Sequence, residues 1–90
     1  MDFEWDEDKR QRNIQNHGID FERAKEIWQD LVLEFPSHPR RFSEERFLAI
    51  GQSEGRIITV VFTWRGKNRR IISARAARRD ERENYKKEIG

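Results

Sequence analysis

His17 stands immediately before Gly18 and is one of only two histidines in the chain. Histidine is the side chain that exchanges a proton nearest neutral pH, so His17 is the first candidate for acid–base work. The same dipeptide also reads as a plain helix stop, with the imidazole near the last carbonyls and the glycine turning the chain. His38 sits in a loop pattern between Pro36 and Pro39. Arginine supplies the second kind of chemistry, because its guanidinium stays charged and forks onto phosphate oxygens. Arg70 and Arg75 flank one strand-like segment, and Arg56 and Arg65 flank another. Side chains at strand ends can converge on one edge of a small sheet, which makes these arginines candidates for holding an anion. Lys9, about two helical turns before His17, adds a cation; its alternative is a surface lysine paired with an acid.

The chain ends in a dense basic segment. Arg75, Arg79 and Arg82 recur at intervals of four and three, so one continuous helix would place them on one side. Tyr85 is suited either to stack on a base or to pack the last helix on the sheet. Glu81 would accept a proton only if burial raised its carboxyl. A basic end of this kind points to a polyanion or an acidic protein as partner, although a charge run is also what a solvated helix shows.

Composition narrows the rest. Cysteine is absent, which excludes disulfides and thiolate chemistry. Two distant histidines do not make a catalytic zinc site. The early acids Asp2, Glu4, Asp6, Glu7 and Asp8 are grouped by nearness in sequence, and a helix N-terminus accounts for the last three. No metal and no cofactor are assigned. Ninety residues suit one domain over 1–90. The chain is 34% hydrophobic and 40% charged, against roughly 25% charged in ordinary domains. So lean a core gains from a bound partner by mass action. No apolar run approaches the roughly 20 residues of a membrane helix, and no signal segment opens the chain. The expected location is the cytoplasm, away from membranes.

The elements that must position these residues follow from spacing and caps. Phe3 and Trp5 alternate with acids as a short strand does. Asp6 reads as an N-cap for a helix running to His17, ended by Gly18. Asp20 caps a second helix whose stripe is Phe21, Ala24, Ile27, Trp28 and Leu31. A strand over 31–35 follows. Strands over 46–52, 56–64 and 69–74 are separated by turns at 53–55 and 65–68, giving an antiparallel meander with 57–62 central. A charged helix over 78–88 closes the chain. The class is α+β.

Phe3-Glu4-Trp5-Asp6, Lys9, Asn13, His17-Gly18, Phe21 and Ala24 resemble the opening of BrnT-family toxins. Arg46, Gly51, the strand over 57–62, and Arg70 to Arg75 resemble the rest, with Arg79, Glu81 and Tyr85 at its basic ending. The resemblance implies a small RelE-like domain with N-terminal helices packed on a mostly antiparallel sheet and a C-terminal helix. It implies metal-independent RNA cleavage that inhibits translation and growth. It also implies a BrnA-like antitoxin that binds operator DNA and brings the toxin there only in complex. Under it His17, Arg75, Arg79, Arg70 and Lys9 become catalytic candidates, and Arg56, Arg65, Arg82 and Tyr85 RNA-binding ones. Two positions depart from the pattern: Asn16 replaces a residue that is often basic, and Ala77 replaces a hydroxyl residue that would cap the last helix. A non-catalytic basic nucleic-acid binder and a purely structural antitoxin partner are the alternatives.

Overall fold

The computed structural model describes residues 2–37 and 44–90. The loop expectation around His38 and Pro39 lies outside the described residues. Strand β1 (Asp2–Trp5) leads into α1 (Glu7–His17), α2 (Phe21–Ala24) and a 3₁₀ turn (Lys25–Gln29). Strands β2 (Leu33–Pro36), β3 (Phe47–Ser53), β4 (Arg56–Arg65) and β5 (Asn68–Ala76) follow, and α3 (Arg79–Glu88) ends the chain. The sheet runs β1-β5-β4-β3-β2. β4 is therefore central, as its β-branched and aromatic run predicts. β1 pairs parallel to β5 and the other neighbours are antiparallel.

The caps act as their residue types dictate. The Asp6 carboxylate accepts from the backbone N–H groups of Asp8 and Lys9, and Gly18 closes α1 at φ 69. The Asp20 carboxylate accepts from the Glu22 N–H. The second helix is shorter than its apolar stripe suggests, because it tightens into 3₁₀ winding at Lys25. This accompanies a close approach of Ile27 to β3: a Cβ on Gly51 would lie 2.8 Å from the Ile27 Cβ. Leu31 leaves the stripe and is 64% exposed. The strand expected over 31–35 accordingly starts two residues later, at Leu33.

Cross-strand partners share a face, so the register sorts the sheet. On one face Ile58, Val60 and Phe62 of β4 oppose Ala76, Ala74 and Ile71 of β5. The N-terminal helices cover this face, and Phe21, Ala24 and Ile27 are fully buried against it. Burying one such large apolar side chain contributes about 1.5–3 kcal/mol. On the other face Thr59, Val61 and Thr63 oppose Arg75, Ser73 and Arg70. Helix α3 lies over part of that face and packs against β3. Ile50, on β3 opposite Thr59, is fully buried there.

A β-bulge breaks the alternation of β5. Val61 pairs with Ser73 and Phe62 with Ile71, which leaves Ile72 as the extra residue. The bulge puts Arg70 and Arg75 on one face, whereas plain alternation would send residues five apart to opposite faces. The strand also runs two residues beyond the expected 74, and the Ala77 N–H donates to the Ile57 carbonyl at 3.1 Å. Arg75 therefore belongs to β5, and Arg75, Arg79 and Arg82 do not share a helix face. No hydroxyl caps α3; the Glu81 carboxylate reaches back to the Arg78 N–H at 2.8 Å instead.

Candidate functional site

β1 ends at Trp5, opposite Ile71, so β5 continues without a strand on that side. Helix α1 takes the place of the missing strand. Asn13 is 5% exposed and aims its carboxamide at the backbone of Ala74. Its Oδ1 accepts from the Ala74 N–H at 3.1 Å, and its Nδ2 donates to the Ala74 carbonyl at 2.9 Å. The second Nδ2 hydrogen goes to the Ile19 carbonyl at 2.8 Å. One buried amide thus satisfies two β5 backbone groups and fixes the turn after α1.

The space beside this contact is an open cleft of about 300 Å³, lined by Lys9, Arg12, Asn13, Asn16, His17, Ile72 and Ser73. Positions 9, 12, 13 and 16 form one stripe of α1, and His17 completes it at the helix end. Ile72, the bulged residue, and Ser73 form the sheet wall. Among the described residues, no carboxylate lines the cleft. Among the described residues, no hydrogen bond or ion pair engages the side chains of Lys9, Arg12 or His17. This distinguishes them from most of the other bases. Arg10 is held by Asp20 and Glu7, Arg23 by Glu26 and Glu54, and Arg70 by Glu4 at 2.7 Å. A cation left free in an acid-free hollow is available to an anion.

The expected arginines divide. Arg75 grips Glu81 through both terminal nitrogens, at 2.8 and 3.0 Å, and the Thr59 hydroxyl donates to the same carboxylate at 2.9 Å. Burial alone would raise the Glu81 carboxyl. The hydrogen bonds from Arg75, from the Arg78 N–H and from Thr59 outweigh it and hold the group at about 2. Glu81 is therefore a fixed carboxylate and not a proton acceptor near neutrality. Arg79 is 88% exposed and pairs with Glu83 one turn on. The Arg82 guanidinium donates to the Ala77 carbonyl at 2.6 Å. Arg56 and Arg65 are exposed at opposite ends of the ten-residue β4. They stand roughly 30 Å apart at ~3.3 Å per residue and do not converge. Tyr85 is 5% exposed and its hydroxyl lies 3.5 Å from the Leu31 carbonyl. Its ring packs α3 and is not open to a base. Arg12, Asn16 and Ser73 join the cleft without being among the residues that sequence chemistry marks. Arg12 was legible as the fourth member of a Lys9-to-Asn16 helical stripe, but Ser73 joins only through the bulge.

A second hollow of about 290 Å³ is lined by Phe3, Lys25, Trp28 and Gln29. Behind it the Arg69 guanidinium lies 4.8 Å from Trp28, 5.3 Å from Phe62 and 4.5 Å from Trp64, and 2.9 Å from the Glu34 carboxylate. Arg69 is 7% exposed, so this is a packed core cation. Among the described residues, no three His, Cys, Asp or Glu side chains gather as a metal site. No helix there is long and apolar enough to cross a membrane.

Comparison with known proteins agrees with this architecture. Residues 5–81 match the family model described as the ribonuclease toxin, BrnT, of type II toxin–antitoxin systems. By class the molecule is thus a toxin of a type II pair. Its structure is similar to the 1.1 Å crystal structure of the Brucella abortus ribonuclease toxin, BrnT. The TM-score is 0.69 at 35% identity, over 88% of this chain and 99% of that one. The search of curated proteins finds no match. The chain belongs to the BrnT family of ribonuclease toxins.

Proposed function

We propose that this chain cleaves RNA in the α1–β5 cleft without a metal ion, and that this arrests translation and growth in the cytoplasm until a BrnA-like, DNA-binding antitoxin neutralises it. The observation that carries the reading is a cleft in which, among the described residues, no acid stands and Lys9, Arg12 and His17 all remain unpaired. In the reaction, the ribose 2′-oxygen attacks the adjacent phosphorus while its proton passes to a base. The bond from phosphorus to the 5′-oxygen breaks, and that oxygen takes a proton. The products are a 2′,3′-cyclic phosphate and a 5′-hydroxyl end. The His17 imidazole suits one of the proton transfers, a contribution of about 10²–10⁴ in rate. Lys9 opposes the charge that grows on the phosphorane oxygens. Arg70 and Arg75 share the sheet face of Ser73, but each is held by a carboxylate, Glu4 and Glu81, so they border the cleft without adding free charge to it. Arg79, Arg56, Arg65 and Arg82 reach RNA only at its periphery.

The test is incubation of the purified protein with RNA, with and without EDTA. Cleavage that survives EDTA and falls sharply in His17→Gln and Lys9→Gln supports the reading. Salt-sensitive RNA retention without cleavage would make the chain a nucleic-acid binder, and neither result leaves a structural partner of the antitoxin.

A further inference from the structure

We propose that Arg12 is an RNA-anchoring residue: its guanidinium, facing the Ser73 hydroxyl wall of the cleft, holds a backbone phosphate flanking the one at His17. The inference rests on reading the cleft as the RNA site and assigns a residue within it. Arg12 and Arg10 are two apart on α1 and have opposite fates. Arg10 meets Asp20 at 2.8 and 3.0 Å and Glu7 at 2.6 Å, which fastens α1 to the start of α2. Arg12 has Asp8 four residues earlier, the favourable order for a helical ion pair. Among the described residues no such pair forms, and Arg12 lines the cleft instead. A free guanidinium matches phosphate with two parallel hydrogen bonds, where an ammonium such as that of Lys9 acts as a point charge. Ser73, on the opposite wall, offers a hydroxyl that can donate to the same oxygens.

Position separates anchoring from chemistry. Arg12 precedes His17 by five residues, roughly 7.5 Å along the axis at ~1.5 Å per residue. A strand lying along α1 that presents its reacting phosphate to His17 passes Arg12 with a neighbouring one. Contacts to a flanking phosphate are made equally before and during reaction, so they set KM and not kcat.

The experiment measures binding of a 2′-O-methyl RNA oligonucleotide, which lacks the attacking hydroxyl, across a salt series. Wild type, Arg12→Gln, Arg12→Lys and the control Arg23→Gln are compared, with folding checked by circular dichroism. Arg12→Gln should weaken binding about tenfold. It should also flatten the slope of log affinity against log salt by about 0.7, the value for one phosphate contact on a single strand. Arg12→Lys should keep the slope and lose part of the affinity. On unmodified RNA, Arg12→Gln should raise KM and leave kcat within about twofold. An unchanged slope in Arg12→Gln, or an equal fall in Arg23→Gln, overturns the assignment, as does an unmodified-RNA defect confined to kcat. Failure of the ribonuclease reading shows separately, as wild-type protein that binds the oligonucleotide but leaves unmodified RNA whole.

Discussion

Asn13 and Ala74 are joined through both polar groups of the Ala74 backbone, at 3.1 and 2.9 Å, across 61 residues of sequence. A side-chain amide here does the work of a neighbouring strand. It docks the middle of α1 on β5, and the cleft wall carrying Lys9, Arg12 and His17 depends on that docking.

Replacing Asn13 by Ala therefore leaves the Ala74 N–H, the Ala74 carbonyl and the Ile19 carbonyl without this partner. An abandoned buried polar group costs about 1–3 kcal/mol. A loss of at least 2 kcal/mol is expected, which lowers Tm by about 8 °C or more in a domain of this size. Asn13→Asp should also destabilise, because it keeps the acceptor and removes both donors. Thermal unfolding followed by circular dichroism decides; a variant melting with wild type would show that α1 is docked by its other contacts.

The Arg75–Glu81 pair makes a prediction about acid. Glu81 sits at about 2 when folded, against an ordinary value of 4.5. A carboxyl depressed by folding contributes stability that is fully present above its unfolded value. That stability fades as pH falls from about 4.5 toward 2. Wild type should thus lose stability steeply across this window, and Glu81→Gln should lose much less, having already lost the charge. Arg75→Ala should be less stable at pH 7, since it strands a buried carboxylate, and should lose less stability than wild type as pH falls, because protonation relieves that burial. Denaturant midpoints at pH 7, 4 and 3 test both variants; parallel curves for wild type and Glu81→Gln would refute the assignment.

Gly51 is fixed by what it faces. A Cβ there would stand 2.8 Å from the Ile27 Cβ and 3.2 Å from a Val32 methyl. Neither neighbour is a flexible chain end, so Gly51→Ala must push the 3₁₀ turn off β3. Overpacking of this kind costs about 1–3 kcal/mol. Urea unfolding should show the midpoint falling without a change in m; an unaltered midpoint would mean that the turn yields freely.

Much of the fold was legible because local chemistry and global packing agree. Asp6, Asp20 and Gly18 mark helix ends by groups they carry themselves, and the run through Val60 and Phe62 announces a buried strand. The cleft was only half legible. Lys9 and His17 stand out by type, and both line it. The arrangement of the arginines is not legible in sequence, because it depends on pairings that no short window shows. The extra Ile72 in β5 decides that Arg70 and Arg75 share a face, and pairing to β4 keeps Arg75 in the strand and out of the last helix. Burial alone would make Glu81 a base, but its donors come from β4, β5 and the start of α3, which no local stretch of sequence brings together. Tyr85 carries the same ring whether it stacks on a ligand or on the core, and only the packing of α3 settles which.

The most direct prediction concerns His17 against Arg75 of β5 and Arg79 of α3. His17 is exposed, has no hydrogen-bond partner among the described residues, and precedes a glycine that closes α1 with its own backbone. Its replacement by Gln should therefore leave Tm nearly unchanged. If the imidazole transfers a proton, single-turnover cleavage should nevertheless fall by about 10²–10⁴, with binding of the uncleavable oligonucleotide kept. Arg79→Ala removes only a solvent-exposed pair with Glu83, and such pairs contribute little. It should leave folding intact and cleavage within a few-fold of wild type. Arg75→Ala should lower activity mainly in proportion to its loss of folded protein, and recover at lower temperature. Growth arrest on induction without antitoxin, scored beside soluble protein level, ranks the three variants in the cell. A His17→Gln protein that cleaves at the wild-type rate would remove the imidazole from the mechanism, and a larger loss in a fully folded Arg79→Ala would move the reacting centre from the α1–β5 cleft to α3.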